Sequence, residues 1–349
     1  MASRKKKTAA HSVGGHVAES AELESLRREV RSLKRKLRGN AGGTARIMAA
    51  VAEAMKDQKT PVLPRRRAQS RKAKTEVAVL HLSDWQIGSK TEDFNTEIAR
   101  ERIHDQLLPQ VRQIVEARRC SARVDELVIL IGGDNIDGSA MRANQPWEVD
   151  STDMEQAIST CPTLFSETVL DMAELFPFVR VYSVRGNHGR IGPHNGNANP
   201  KRVNWDTVSS EVARMQLGDV VDGDRVTWHT EVEDFYLHID IAGAGLLLIH
   251  GDQFQGGGGF AGVPVASIVK KIARWADAME EDFDVLMLGH YHNPTTLTVG
   301  SRSCYVNGTL KSKGEWELEE LAMSTRPAQR LQFWAPDQGP VVDQVIWLD

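Results

Sequence analysis

Five apolar runs, each ending in acidic, amide or imidazole residues, constrain the fold of this chain more than any other feature. Helical patterns separate the early runs, and over residues 96–119 apolar residues recur three and four positions apart. Strands that alternate with helices are typical of α/β proteins. The sequence therefore predicts an α/β body, with an antiparallel portion at residues 225–243 where no helix intervenes. The five runs are residues 76–84, 125–134, 176–188, 244–252 and 282–292.

Cysteine content and hydropathy limit the class of protein. The three cysteines are far apart and odd in number, which predicts reduced thiols in a cytoplasmic protein rather than a disulfide framework or zinc cluster. No run of about 18 apolar residues occurs, so we expect no membrane span. The basic start at residues 1–16 has no apolar stretch behind it and is unlike a secretory signal.

Charge divides the chain into a basic arm and an acidic body. Residues 1–75 hold 20 Lys or Arg against 6 Asp or Glu, whereas residues 76–349 hold 23 against 41. We therefore predict an N-terminal arm over residues 1–75 and a single domain over residues 76–349. A basic arm favours contact with nucleic-acid phosphates, the alternative being a solvated tail that aids solubility.

Within the arm, residues 19–38 carry apolar side chains at alternating spacings of three and four, as in a coiled coil. About two heptads are present, which is marginal for an isolated coiled coil. The pattern predicts a homo-oligomer through residues 23–37. A second helical stretch and a proline-containing basic linker are expected to follow this segment. The apolar positions are Leu23, Leu26, Val30, Leu33 and Leu37.

Side chains with free lone pairs stand at the end of each apolar run of the body. Ligands collect beyond the carboxyl ends of strands in α/β sheets, so we expect these side chains to meet. Carboxylates, imidazoles and amide oxygens without cysteine suit Mn²⁺, Fe²⁺ or Zn²⁺. These donors are too many for one ion. Two ions about 3.5–4 Å apart that share a carboxylate would use the donors and would activate a water molecule for attack on phosphorus. The donors are Asp84, Gln86, Asp134, Asn187, His188, His250, His290 and His292.

Five strings, "HLSDWQIGS", "GGDNIDG", "RGNHGR", "LIHGD" and "LGHYHNP", resemble the ordered signature blocks of the calcineurin-like metallophosphoesterase superfamily. The likeness covers roughly residues 77–310 and implies a two-sheet αββα sandwich, here preceded by the basic helical arm. It implies that Asp134 bridges two metal ions. The other ligands it implies are Asp84, Gln86 and His292 at one ion, and Asn187, His250 and His290 at the other.

The same resemblance implies roles in catalysis. A metal-bound hydroxide would attack phosphorus, and His188 would protonate the leaving oxygen. Asp137, three residues past the bridging carboxylate, matches the position that orients this histidine. Arg190, two residues beyond His188, is placed to hold a phosphate by bidentate hydrogen bonds. For Trp147 we expect packing in the core rather than stacking on a nucleobase.

Two positions depart from the family pattern. Gln86 stands where the family usually has histidine, and an amide oxygen is a weaker donor for transition metals than imidazole. The first ion is therefore expected to bind loosely or to be a harder one; we predict Mn²⁺, with Mg²⁺, Fe²⁺ and Zn²⁺ as alternatives. Gly189 stands where many members have an acid, which leaves Asp137 to orient His188.

The blocks are more similar to DNA-processing members (SbcD-type repair nucleases) and to bacteriophage-encoded hydrolases than to protein phosphatases. We therefore expect a two-metal nuclease acting on DNA or RNA. One alternative is a phosphatase or phosphodiesterase for a small phosphoester or cyclic nucleotide. Another is a nucleic-acid-binding scaffold whose phosphoesterase site is degenerate.

Overall fold

The computed structural model describes seven stretches of the chain, which are residues 46–55, 74–141, 145–191, 203–221, 223–254, 262–312 and 326–349. Residues 46–55 are helical, in agreement with the second helical stretch expected in the arm. The predicted coiled coil at residues 19–38 lies outside the described residues, as does most of the linker.

The first sheet has six strands, and the apolar runs that end in Asp84, Asp134 and Asn187 form three of them. Four strands run parallel in the order β1–β2–β3–β4, and β10 and β11 add antiparallel partners beside β1. The six strands are β1 (Lys74–Leu82), β2 (Ala122–Ile131), β3 (Phe178–Ser183), β4 (Val226–Thr230), β10 (Ala328–Ala335) and β11 (Gly339–Trp347).

The second sheet has five strands in the order β5–β6–β7–β9–β8. Its central strands β6, β7 and β9 are parallel, and β5 and β8 pair antiparallel at the two edges. The antiparallel pair β5–β6 confirms the antiparallel portion expected at residues 225–243 for Tyr236–Ile241. The expectation is wrong for Val226–Thr230, because β4 belongs to the first sheet and runs parallel to β3. The strands are β5 (Tyr236–Ile241), β6 (Ala244–Ile249), β7 (Val285–Leu288), β8 (Thr295–Val299) and β9 (Arg302–Val306).

Helices connect the strands of the first sheet, as the alternating pattern predicted. Two of them contain π-helical segments, at Arg102–Leu107 and Gln156–Thr160, so the helical run on each side of the π-segment receives its own label. Short 3₁₀ turns occur at Gln145–Trp147 and Gly218–Val220. The α-helices are α1 (Thr96–Glu101), α2 (Leu108–Arg118), α3 (Asp153–Glu155), α4 (Cys161–Leu175), α5 (Trp205–Leu217) and α6 (Val265–Ala278).

Strand β1 shows how the layers form, because successive side chains of a strand point to opposite faces. Val77 and Val79 pack in the core between the two sheets with Leu246 of β6. Ala78 and Leu80 point the other way and pack in the core beneath α2 and α4. Both faces of the strand are therefore buried, which explains its uninterrupted apolar run.

Helix α6 covers the outer face of the second sheet. Its Ile268 and Ile272 pack against Leu247 and Ile249 of β6. The layers thus run helix, sheet, sheet, helix, and the predicted αββα sandwich is confirmed. Cys161 and Cys304 are buried, Cys120 is exposed, and all three are free thiols. None of the described helices combines the length and apolarity needed to cross a membrane.

His81 is an unusual member of the layer between the sheets. It is fully buried on β1, and neither ring nitrogen has a hydrogen-bond partner among the described residues. Burial, together with the nearby Arg330 guanidinium, lowers the pKa of His81 to about 3. His81 is therefore neutral in the folded protein at pH values where an unfolded chain would protonate it.

We expect His81→Leu to make the protein more resistant to acid. The unfolded state binds a proton below a pKa of 6.5, whereas the folded state binds it only below about 3. Between these values the parent loses about 1.4 kcal/mol of unfolding free energy per pH unit through this group, and the variant does not. Chemical denaturation at pH 7 and pH 5 should show the variant gaining about 2 kcal/mol relative to the parent. An equal difference in unfolding free energy between variant and parent at pH 7 and at pH 5 would contradict this expectation.

Candidate metal centre

The predicted ligands meet at one edge of the sandwich. The parallel strands of both sheets end at this edge, so donors far apart in sequence come within hydrogen-bond distance. The donors follow β1, β2, β3, β6 and β7 in turn, and they are Asp84, Gln86, Asp134, Asn187, His250, His290 and His292.

Asp84, Gln86 and His292 form the first donor group. His292 Nε2 lies 3.3 Å from Asp84 Oδ1 and 3.1 Å from Gln86 Nε2. The backbone N–H of His290 donates to both carboxylate oxygens of Asp84, at 3.0 Å each. Asp84 and Gln86 are fully buried, so bulk water does not screen this group.

Asp134, Asn187, His250 and His290 form the second donor group. His250 Nε2 lies 3.1 Å from Asp134 Oδ2, 3.1 Å from Asn187 Oδ1 and 3.3 Å from His290 Nδ1. One donor atom from each of Asp134, His250 and His290 falls within 4.8 Å of the others. This spacing suits a single small cation held by the three side chains.

The hydrogen bonding of His250 shows that the second donor group fits a cation. His250 Nδ1 lies 2.8 Å from the carbonyl oxygen of Gly132, which can only accept, so Nδ1 carries a proton. In the neutral ring, Nε2 then presents a lone pair to the oxygens of Asp134 and Asn187. Lone pairs that converge in a buried site repel one another unless a positive charge lies among them.

The electrostatics of the second donor group favour positive charge as well. Burial opposes the charged form of His250, but the Asp134 carboxylate outweighs it and raises the pKa of His250 to about 10. The histidines in turn hold the pKa of Asp134 below its ordinary value, despite burial. Burial and His250 lower the pKa of His290 to about 4, which leaves its ring neutral and able to coordinate. A field that favours a proton at this position also favours a metal ion.

Gln86 fits the first donor group as an oxygen ligand. Its Oε1 is buried and has no hydrogen-bond partner among the described residues. Leaving such an oxygen unsatisfied costs about 1–3 kcal/mol. An ion held by Asp84 and His292 would satisfy it, and an amide oxygen beside a carboxylate suits a hard or borderline divalent ion.

Backbone conformation distinguishes the predicted ligands from the rest of the chain. Seven non-glycine residues among those described have φ in the left-handed region, and five of them are predicted ligands. Such conformations cost about 1–3 kcal/mol each and persist where the surrounding structure enforces them, often at functional sites. The five are Asp84 (φ 53°), Gln86 (φ 44°), Asp134 (φ 50°), His290 (φ 69°) and His292 (φ 56°).

Two glycines make room for the carboxylates. A Cβ on Gly186 would lie 2.1 Å from Asp134 Oδ1, and a Cβ on Gly289 would lie 2.1 Å from Asp84 Oδ2. No side chain fits at such distances. The glycines in "RGNH" and "LGHYH" are therefore required by the packing of neighbouring loops around each carboxylate.

His188 lies beside the second donor group and contacts Asp137. Its Nδ1 is 2.8 Å from the Asp137 carbonyl oxygen and 3.1 Å from Asp137 Oδ1, while its Nε2 is 4.0 Å from Asp134 Oδ2. Gln145 Nε2 donates to Asp137 Oδ2 at 2.5 Å and fixes that carboxylate. Burial opposes protonation of His188, but the Asp134 and Asp137 carboxylates raise its pKa to about 9. The ring can thus carry a proton on Nε2 toward the site.

Arg190 does not contact the donor atoms directly. Its guanidinium pairs with Asp252, which follows His250 by two residues. The pair borders a cleft of about 240 Å³ that also includes Arg185 and Phe235. A phosphate held by Arg190 would share this guanidinium with Asp252, so the substrate-binding role of Arg190 stays a prediction.

Asp206 is a part of the site that the sequence did not reveal. Its buried carboxylate accepts backbone N–H groups of Asp134 at 2.9 Å, Asn135 at 3.0 Å and Gly186 at 2.8 Å. It thereby ties the loop after β2 to the loop after β3. Burial, with the repulsion from Asp134, raises the pKa of Asp206 to about 6. An acid in the first turn of a helix is common, so the position of Asp206 in the sequence did not indicate a role at the site.

We expect Asp206→Asn to weaken metal binding at the second donor group by about 10–100-fold, because its NH₂ group would face backbone N–H donors. Calorimetric titration with Mn²⁺ measures the affinity. Asp224→Asn makes the same chemical change at an exposed position and should leave the affinity unchanged. Equal affinities for parent and Asp206→Asn would contradict the proposed bracing of the two loops.

Comparison with known protein families agrees with the geometry. A family model described as calcineurin-like phosphoesterase matches residues 77–310, about two thirds of the chain. The chain belongs to the calcineurin-like phosphoesterase family. This phosphoesterase is a metal-dependent enzyme that hydrolyses phosphoesters, and Asp134, His250 and His290 form a candidate metal site in it.

Individual relatives of the phosphoesterase are distant. The SPbeta prophage-derived uncharacterized protein YonJ of Bacillus subtilis (strain 168) is 22% identical over 296 residues, 81% of this chain and 67% of that protein. Vacuolar protein sorting 29 from Cryptosporidium parvum matches at 12% identity and a TM-score of 0.37, over 78% of this chain and 97% of that one. Hypothetical protein PH1004 from Pyrococcus horikoshii OT3 matches at 11% identity and a TM-score of 0.41, over 78% of this chain and 88% of that one.

Proposed function

We propose that this phosphoesterase is a two-metal phosphodiesterase that cleaves nucleic acid. The observation that carries the proposal is the convergence of seven donors in two groups, with His188 Nε2 4.0 Å from the carboxylate of Asp134. Two divalent ions held there would provide Lewis acidity and lower the pKa of a bound water. We propose Mn²⁺, because the neutral oxygen of Gln86 suits a harder ion than a third imidazole would.

Residues of the chain have separate tasks in this proposal. Asp134 would provide carboxylate oxygens to hold both ions. His188 donates the Nε2 proton to the oxygen that leaves phosphorus, and Asp137 holds the ring in the orientation that directs Nε2 outward. Arg190 binds a non-bridging or neighbouring phosphate oxygen at the cleft it shares with Asp252.

The uneven charge of the chain supports a nucleic-acid substrate. Residues 1–75 hold 14 more basic than acidic residues, and residues 76–349 hold 18 more acidic than basic ones. A polyanion would be repelled by the body alone and attracted by the arm. Recruitment by the arm would raise the strand's local concentration near the metal centre.

The same acidity favours one second candidate, a phosphodiesterase for a small phosphoester. A small ester carries one phosphate and needs no basic arm to reach the metal centre. The two candidates predict different responses to salt, because only a polyanionic substrate releases many counterions on binding.

The test is cleavage of end-labelled single- and double-stranded DNA and RNA with Mn²⁺, beside hydrolysis of bis(4-nitrophenyl) phosphate, at 50 and 200 mM salt. We expect nucleic-acid cleavage that weakens at least about tenfold with salt, and ester hydrolysis that changes little. Neutralising Arg65, Arg66 and Arg67 with glutamine should reduce the salt dependence of the first reaction alone.

Each other outcome assigns a different function. Ester hydrolysis without nucleic-acid cleavage would reject the nuclease and favour the small-phosphoester enzyme. Nucleic-acid binding without bound metal and without hydrolysis would favour a scaffold with a degenerate site.

A further inference from the structure

Trp147 does not pack in the core, and the expectation from sequence is wrong at this position. The side chain is 86% exposed, the highest exposure among the large apolar residues described. Met154 follows with 61%. Isolated exposed apolar residues are common, but an exposed tryptophan forgoes the favourable free energy of burying its large apolar surface.

The backbone that carries Trp147 is anchored. Lys90 N–H donates to the Glu148 carbonyl at 2.7 Å, and Ser89 pairs with Val149 in a β-bridge. Gln145, two residues before Trp147, holds Asp137. The exposed ring therefore stands on a segment connected to the first ligand loop on one side and to the partner of His188 on the other.

A groove of about 610 Å³ lies beside this segment. Its lining includes Ser139, Pro146, Met154 and Trp205. Trp147 is not part of the lining but directly follows Pro146 in the chain. One end of the groove is connected to His188 through the chain, because the lining residue Ser139 follows Gly138, and a Cβ on Gly138 would lie 2.7 Å from the His188 carbonyl oxygen. In the proposed function His188 marks the side of phosphorus from which the leaving group departs. The groove thus extends from the leaving-group side.

Acidic residues line the other part of the groove, and they determine what it can hold. Asp150 accepts the backbone N–H of Thr96 at 2.8 Å, and Glu155 accepts that of Thr152 at 2.9 Å, so both carboxylates have structural partners. Their charge still repels a phosphate. An uncharged ring with amino or imino groups fits this surface better than a sugar–phosphate backbone does.

We propose that this groove binds the base of the leaving nucleoside and that Trp147 stacks on its face. The proposal rests on the proposed function, since it assigns a leaving-group subsite to the same centre. Stacking on a fixed aromatic ring accepts any base, so the subsite contributes affinity without sequence preference. Met154 and Pro146 supply the apolar wall of the groove.

The test uses a short oligothymidylate with one cleavable phosphodiester among phosphorothioate linkages. Two analogues carry an abasic sugar on one or the other side of that linkage. The product that retains the phosphate identifies the leaving side. For the parent we expect kcat/KM to fall about tenfold when the leaving-side base is absent, and little when the other base is absent.

Three variants locate the effect. Trp147→Ala should lower kcat/KM about tenfold on the intact substrate and abolish the discrimination against the leaving-side abasic analogue. Trp147→Phe should retain most of the discrimination. Trp347→Ala removes a tryptophan that is 40% exposed on β11 and should behave as the parent.

The outcomes separate the two proposals. Absence of oligonucleotide cleavage by the parent would overturn the nuclease and the subsite together. Cleavage by the parent with equal rates on all three substrates would overturn the subsite alone. An equal loss in Trp147→Phe and Trp147→Ala, or unchanged discrimination in Trp147→Ala, would also overturn it.

Discussion

Asp134→Asn is expected to lower hydrolysis of bis(4-nitrophenyl) phosphate by at least about a thousandfold, because in the proposed function this carboxylate would hold both of the metal ions on which catalysis depends. Asp134 is the carboxylate of the second donor group, and its Oδ2 is 3.1 Å from His250 Nε2. Its replacement leaves that buried imidazole without a negative partner. We expect less than one bound metal ion per chain by elemental analysis after gel filtration.

Folding must be measured beside activity, since loss of a buried ionic partner costs about 3–5 kcal/mol. Circular dichroism of the variant should show the parent's secondary structure at 25 °C. Asp224→Asn, which makes the same change at an exposed position, should keep full turnover and metal content. A folded Asp134→Asn variant with a tenth or more of the parent's activity would contradict the bridging role.

His188→Ala should affect substrates according to how much their leaving group needs a proton. General acid catalysis contributes about 10²–10⁴-fold, so cleavage that expels a nucleoside alkoxide should fall by that factor. Hydrolysis that expels 4-nitrophenolate, a stable anion, should fall less than about tenfold. Metal content should equal that of the parent, because the His188 ring contacts Asp137 and lies 4.0 Å from Asp134 Oδ2, so its removal leaves the donor side chains in place.

The measurement is kcat for a series of phosphodiesters whose leaving groups differ in pKa. Asp137→Asn should reproduce the pattern with a smaller loss, because it disturbs the orientation of the ring and lowers the pKa of His188 but leaves the proton donor in place. An equal loss on all leaving groups would assign His188 to substrate binding or to the metal centre instead of proton donation.

The layers of the fold could be predicted from local sequence patterns, whereas strand β10 could not. Apolar runs such as that of β2 are long enough to be recognised as buried strands. In β10 the polar residues Gln329, Arg330 and Gln332 are buried among apolar ones, which hides the strand from pattern analysis. They are tolerated because partners distant in sequence satisfy them: Asp343 binds Arg330, and Gln329 bonds to Ser83.

The donors of the candidate site could be predicted because each stands at the end of an apolar run, in a family-like block. The residues that hold these donors in position could not be predicted. Asp206 acts through three backbone N–H groups, and the pairing of Arg190 with Asp252 depends on how two loops approach. The exposure of Trp147 is likewise set by the tertiary anchoring of its segment. Sequence periodicity carries no information about such contacts.

The left-handed backbone at five of the donors limits how this centre can change over evolutionary time. Asn, Asp and His occupy that conformation several-fold more often than other non-glycine residues, and β-branched residues are strongly disfavoured there. A mutation of Asp84 or Asp134 to valine would therefore lose the ligand and also distort the loop. Lineages that abandon catalysis should pass through asparagine or glycine at these positions. The backbone conformation of the loops would then be retained after catalysis is lost, and an inactive descendant would still have the structure of the enzyme.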